Sequence, residues 1–93
     1  MPATPLAGNP KPDYPAEALR RGIEGWVVLS IVVSAVGEVE QASVIATSGH
    51  AALDAAALAA VRAWGFRPAQ RLGVAVPFET RIPFVFRIRD DER

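Results

Sequence analysis

The sharpest pattern in the chain lies near its end. Val76, Phe78, Ile82, Phe84, Phe86 and Ile88 are apolar and, with Thr80, occupy even positions, whereas Glu79, Arg81, Arg87 and Arg89 occupy odd ones. A period of two predicts a strand with one face on the core. A second strand is predicted over residues 24–36, where Val27, Leu29, Ile31, Val33 and Ala35 are all odd. Its even face is mixed, with Trp26, Val28 and Val32 beside Ser30 and Ser34. Val36-Gly37-Glu38 then supplies a hairpin turn, with Gly37 suited to positive φ. The following strand, residues 39–47, breaks parity: Val39 is odd, but Ala42, Val44 and Ala46 are even. A bulge near Glu40-Gln41 would return all four to one face.

Two stretches carry helical signals. Pro15 suits the first helical position, Glu17 and the Arg20-Arg21 pair match the helix dipole, and Gly22 fits a left-handed cap. This predicts a short helix over residues 15–21. Leu53, Ala57, Ala60, Val61 and Trp64 form a helical stripe, so a second helix is expected over residues 51–64. Ser48-Gly49-His50 opens it, Gly65 ends it, and Pro68 prevents its resumption before a loop over residues 67–73. The order helix, strand, strand, helix, strand predicts an α+β fold. It is a two-layer sandwich, a three-stranded antiparallel sheet with both helices on one face. The most apolar strand belongs in the middle, giving the order 2-1-3 in terms of the three strands.

Pro77 and Pro83 place the last strand at an edge, because proline cannot donate to a ladder. If Pro83 turns its missing N–H outward, Arg81, Val85 and Arg87 share that outward direction and even residues pair inward. Beyond Phe84 the edge would then offer the free backbone of Val85, Arg87 and Arg89 to a visiting strand. The competing reading is that Pro83 and the arginines merely blunt the edge against aggregation.

Composition narrows the chemistry. The 93 residues suit one small domain of modest stability, about 5 kcal/mol. Ten basic and ten acidic side chains cancel, which argues against a nucleic-acid partner. There is no cysteine and a single histidine, His50, so no metal or cofactor is expected. Ser48, His50 and Asp54 crowd one helix start without any sign of an oxyanion site, and an enzyme is not expected. No apolar run reaches the ~20 residues of a membrane helix, and no signal peptide is visible. Pro2, Pro5, Pro10 and Pro12 make residues 1–12 read as an extended linker remnant or, equally, as a merely disordered terminus. The domain would then cover residues 13–89, with an acidic tail at 90–93.

Several short motifs resemble, in order and spacing, the TonB C-terminal domain family. They are Tyr14-Pro15, Ile23-Glu24-Gly25, the Gly37 turn, Ser48-Gly49, Leu53-Asp54, and Trp64-Gly65-Phe66-Arg67-Pro68-Ala69. The closing Pro83-Phe84-Val85-Phe86-Arg87-Ile88 is similar to the family's final strand, and the likeness spans residues 10–88. Val36 departs from the Asp that the family often places before the turn glycine. Pro15, Gly25, Gly37, Leu53, Trp64, Phe66 and Pro68 are expected to be fold markers. Pro15 would set the entry to the first helix, and Gly25 a tight turn into the sheet. Trp64 and Phe66 would plug the end of the second helix onto the core.

The resemblance implies a periplasmic energy transducer, anchored to the inner membrane by a segment absent here and coupled to an ExbB–ExbD motor. It implies that the domain grips the TonB box of outer-membrane transporters by strand addition, driving uptake of iron chelates, haem or cobalamin. Arg81, Phe84, Val85, Phe86, Arg87, Ile88 and Arg89 would form the docking edge. Lys11, Pro12, Asp13 and Tyr14 would touch the transporter. The same domain type also occurs as an interaction module of membrane-anchored peptidases and sensors. The mixed face around Trp26 leaves a dimerising structural domain open, and the chain is expected to be a monomer or a domain-swapped dimer.

Overall fold

A computed structural model describes residues 1–88, so Arg89 and the acidic tail lie outside the described residues. The chain runs β1 (Thr4–Pro5), α1 (Ala16–Arg20), β2 (Gly25–Val33), β3 (Val39–Ala46), α2 (Ala51–Arg62), β4 (Phe66–Arg67), β5 (Ala69–Arg71), β6 (Val74–Val76) and β7 (Phe78–Phe86). The main sheet is antiparallel with the order β3-β2-β7, so the most apolar strand is central as its composition predicts. Val27, Leu29, Ile31 and Val33 of β2 are fully buried. They share one cluster with Ala18 of α1, with Leu53, Ala57 and Val61 of α2, and with Phe84 and Phe86 of β7. Both helices therefore cover the same face of the sheet, and the odd positions of β2 hold the layers together.

The parity break in β3 is a bulge. Val33 faces Val39 and Val32 faces Gln41, which leaves Glu40 as the extra residue. A second bulge was not foreseen: Val28 faces Ala46 and Leu29 faces Val44, so Ile45 is also extra. It turns Ala46 to the solvent side with Val28, away from the face it was expected to share with Val44.

Helix α1 starts one residue later than expected. Pro15 is its N-cap (φ −58°, ψ 132°), and its carbonyl accepts the Leu19 N–H at 2.9 Å. Gly22 takes the left-handed cap conformation at φ +69°, where its N–H bonds Leu19 and the Ile23 N–H bonds Ala18. This 5→2 and 6→1 pair satisfies the last carbonyls of the helix.

Helix α2 ends at Arg62, short of Trp64, and Gly65 is not its left-handed cap. The expected loop over residues 67–73 is ordered differently. β5 and β6 form a small hairpin whose tip, Leu72-Gly73, has φ of +52° and +80°. Pro77 separates this hairpin from β7, breaking the single strand that alternation suggested. Residues 1–12 turn at Ala7-Gly8, where Gly8 takes φ +86°, and they lie bound along the body. β1 pairs with β4 through Thr4↔Arg67 and Pro5↔Phe66, and Ala3 is buried.

Candidate functional site

Strand β7 is an edge strand, and its pairing decides which backbone groups face outward. Pro83 sits opposite Val28 and has no N–H to give, so this pair cannot exchange both ladder bonds. Odd residues of β7 therefore point their N–H and C=O groups away from β2, and even residues point theirs toward it. Just past the strand the Ile88 N–H donates to Glu24 Oε2 at 2.6 Å, on the β2 side, as this parity requires. Val85 is 65% exposed, opposite Trp26 at 62%, and the parity turns its backbone outward. Carried one step past the last strand residue, Phe86, the same parity gives Arg87 that direction.

Beside this stretch lies a groove of about 890 Å³. Lys11, Pro12, Tyr14, Leu19 and Trp64 line it together with residues 83–87. Its aromatic walls are fixed by contacts on both sides. The Tyr14 hydroxyl donates to the Ile23 carbonyl, and its ring stands edge-on to Phe86, with centroids 5.5 Å apart. Trp64 packs edge-on to Phe84 at 5.2 Å and donates its indole N–H to the Pro10 carbonyl at 2.7 Å. Lys11 and Pro12 thus span the gap between two anchored residues, Pro10 and Tyr14. The charged side chains lining the groove, Lys11 and Arg87, are both cationic.

The groove brings together most of the residues expected to bind a partner: Lys11, Pro12, Tyr14, Phe84, Val85, Phe86 and Arg87. Asp13 is exposed and outside its lining, Arg81 lies beyond Pro83, and Ile88 is half-buried with its N–H taken by Glu24. Leu19 and Pro83 were not foreseen as lining residues, and Trp64 was read only as a core plug. Leu19 gave no signal, because a five-residue helix is too short to show which face it buries.

The fold markers act through close approach as much as through turns. Gly25 does not make a positive-φ turn. A Cβ there would meet Ser48 Cβ at 3.2 Å and Leu53 Cδ1 at 3.4 Å, so the missing side chain lets β2 pass the start of α2. Gly37 does both: its φ is +87°, and a Cβ would lie 2.1 Å from the Phe66 carbonyl oxygen. Leu53 and Phe66 are buried, and Pro68 separates β4 from β5.

The crowded helix start is structural. Asp54 accepts from the Thr47 hydroxyl, from the Ser48 hydroxyl at 2.7 Å and from the Ser48 N–H at 3.0 Å. Burial pushes this carboxyl up, but those bonds and the nearby His50 charge outweigh it and hold its pKa below the ordinary 3.8. Among the described residues no group of His, Cys, Asp and Glu is placed to hold a metal ion.

The family model "Gram-negative bacterial TonB protein C-terminal" matches residues 10–88. Protein tonB2 of Pseudomonas aeruginosa is 44% identical over 80 residues, covering 86% of this chain and 30% of that protein. Protein TonB of Vibrio cholerae is 38% identical over 83 residues, covering 89% of this chain and 34% of that protein. The chain thus spans about a third of the length of these relatives. The solution structure of the Pseudomonas aeruginosa TonB C-terminal domain superposes with a TM-score of 0.77 at 28% identity, covering 95% of this chain and 88% of that one. The αββαβ order, the β3-β2-β7 sheet and these matches agree, and the chain belongs to the TonB C-terminal domain family.

Proposed function

We propose that this domain is the receiving end of a TonB-like energy transducer, and that it takes the TonB box of an outer-membrane transporter as an added strand on β7. The observation that carries this reading is the open edge of β7 at Val85, beside the groove lined by Lys11, Pro12 and Tyr14. An extended guest would gain main-chain hydrogen bonds from the edge and place alternate side chains over the groove. Bonds along a strand are loaded side by side when it is pulled, so the grip would bear tension with little demand on guest sequence. Lys11 and Arg87 favour a guest or transporter rim that carries acidic groups.

In this reading an upstream segment anchors the protein to the inner membrane and couples it to an ExbB–ExbD motor. The domain works in the periplasm as a binding module and not as an enzyme, and the pull it transmits drives uptake of iron chelates, haem or cobalamin. Titrating isotope-labelled protein with a TonB-box peptide tests the site. Amide shifts should concentrate at Val85, Arg87 and residues 11–14. Shifts centred on Ala51–Arg62 of α2 would rule out edge addition.

A further inference from the structure

Residues 1–10 lie across the end of α2 and along β4 and β5. The Met1 amino group donates to the Gln70 carbonyl at 2.9 Å, and the Gln70 N–H returns to the Met1 carbonyl at 3.0 Å. β1 pairs with β4, and one side chain fixes the end of the segment that leads into the groove. Asn9 pairs its amide with the backbone of Gly65 in both directions. Its Oδ1 accepts the Gly65 N–H at 2.9 Å, and its Nδ2 donates to the Gly65 carbonyl at 3.0 Å. The Leu6 N–H reaches the same carbonyl at 3.1 Å, so the Asn9 side chain continues by one step the ladder that β1 makes with β4. The next residue, Pro10, accepts the Trp64 indole N–H. Asn9 falls just before the segment that matches the family, which begins at residue 10.

We infer that Asn9 is a positioning residue for the β7 groove. By docking the groove-side end of the strap on Gly65, it holds the Lys11–Pro12 wall and Trp64 in the geometry that grips a guest strand. The reasoning is mechanical. Lys11 and Pro12 have no anchor of their own among the described hydrogen bonds, and they are suspended between Pro10 and Tyr14. Tyr14 stays fastened by Ile23 and Phe86 whatever the strap does. Release of Asn9 leaves β1 and Met1 in place but Pro10 held only by its bond to Trp64, so the wall loosens at that end and the indole loses a braced partner. Trp64 packs on Phe84, the inward neighbour of Val85, which carries the disturbance to the docking edge. Any tension arriving along the chain from its N-terminal side meets this strap before it meets the body. Undocking would then loosen the grip and act as a load-limiting release.

The part of this inference that concerns guest binding rests on the proposed function, but the coupling of strap to groove does not. Asn9→Ala is therefore read first without peptide. The Trp64 indole resonance and the amides of Lys11, Tyr14 and Val85 should shift, while exchange protection at Leu29 and Ile31 is retained. Asn9→Asp keeps the acceptor for the Gly65 N–H and loses the donor, so its shifts should be intermediate. Changes that stop at Leu6 and Gly65 would overturn the coupling.

With a TonB-box peptide, Asn9→Ala should weaken binding about five- to tenfold through faster dissociation, the scale of one or two lost hydrogen bonds. Unchanged affinity in a variant whose strap has demonstrably undocked would overturn the gripping role. Failure of the wild-type protein to bind any such peptide would instead overturn the proposed function. The resonance arm would then decide the coupling alone.

Discussion

Gly37 and Asp54 show how much a single position carries in so small a domain. Gly37 closes the β2–β3 hairpin. Its N–H bonds the Ser34 carbonyl at 3.0 Å, while its own carbonyl accepts the Phe66 N–H at 2.9 Å. Gly37→Ala adds a clash with the Phe66 carbonyl to the strain of positive φ, and should cost about 2–4 kcal/mol, a large share of the total. Gly49 is the control: its φ is also +87°, but nothing lies within 4 Å of an added Cβ, so Gly49→Ala should cost only about 1 kcal/mol. Urea midpoints of the two variants measure the difference, and equal losses would show that the close approach is harmless. The sequence flagged Gly37 as a turn residue, but its second role depends on a strand almost thirty positions away. For Asp54 the carboxyl's pKa is lowered by folding, so its stabilisation is complete above the ordinary value near 3.8 and is lost as pH falls below that value through the lower folded-state pKa. Asp54→Asn should therefore be less stable than the wild type at pH 7, with the gap narrowing at pH 3. Denaturation at the two pH values checks this, and a gap that widened in acid would contradict the sign.

At the scale of elements, proline parity gives the clearest test. Val85 points its N–H outward and its side chain to solvent, so Val85→Pro should leave the melting temperature within a few degrees of the wild type. It should nevertheless weaken guest binding about tenfold, because one edge donor is gone and the ring crowds the incoming strand. Ile82 faces Leu29 on the inward parity, and Ile82→Pro should unfold the domain. Circular dichroism with peptide titration separates the two, and unchanged affinity in Val85→Pro would sink the register. This parity was legible because Pro83 marks a direction that ordinary residues leave unmarked. The Glu40 bulge was legible for a similar reason, as a switch between Val39 and Ala42. The Ile45 bulge was not, since Ala46 is small enough to lie on either face without disturbing the hydrophobic pattern. The β5–β6 hairpin was hidden too. Leu72 occupies a left-handed position where Asn or Gly would have announced the turn, and it is almost wholly exposed.

For the whole molecule, the strap and the sheet differ in how they are held, and that difference should be visible under load. The prolines of residues 1–12 suggested extended backbone, which concealed both the turn at Ala7-Gly8 and the docking. The contacts that fix the segment are an Asn side chain and the Leu6 N–H on Gly65, a carbonyl on Trp64, two residues of ladder and a reciprocal Met1–Gln70 backbone pair, none of which has a local signature. The body is different, because β2 pairs along nine residues with β7 and buries Val27, Leu29, Ile31 and Val33 completely. Few, mostly half-buried bonds should open before a buried sheet does. The chain has no cysteine, so single cysteines appended at the N-terminus and substituted at Arg87 provide unique handles for a pulling experiment. Extension should occur in two stages. An early step at low force, up to about 35 Å for ten residues, releases the strap, and cooperative unfolding of the sheet follows at higher force. Asn9→Ala should lower the force of the first step and leave the second where it was. A single cooperative event in both proteins would mean that strap and sheet share one barrier, so that tension reaching this domain could not loosen the groove ahead of the fold.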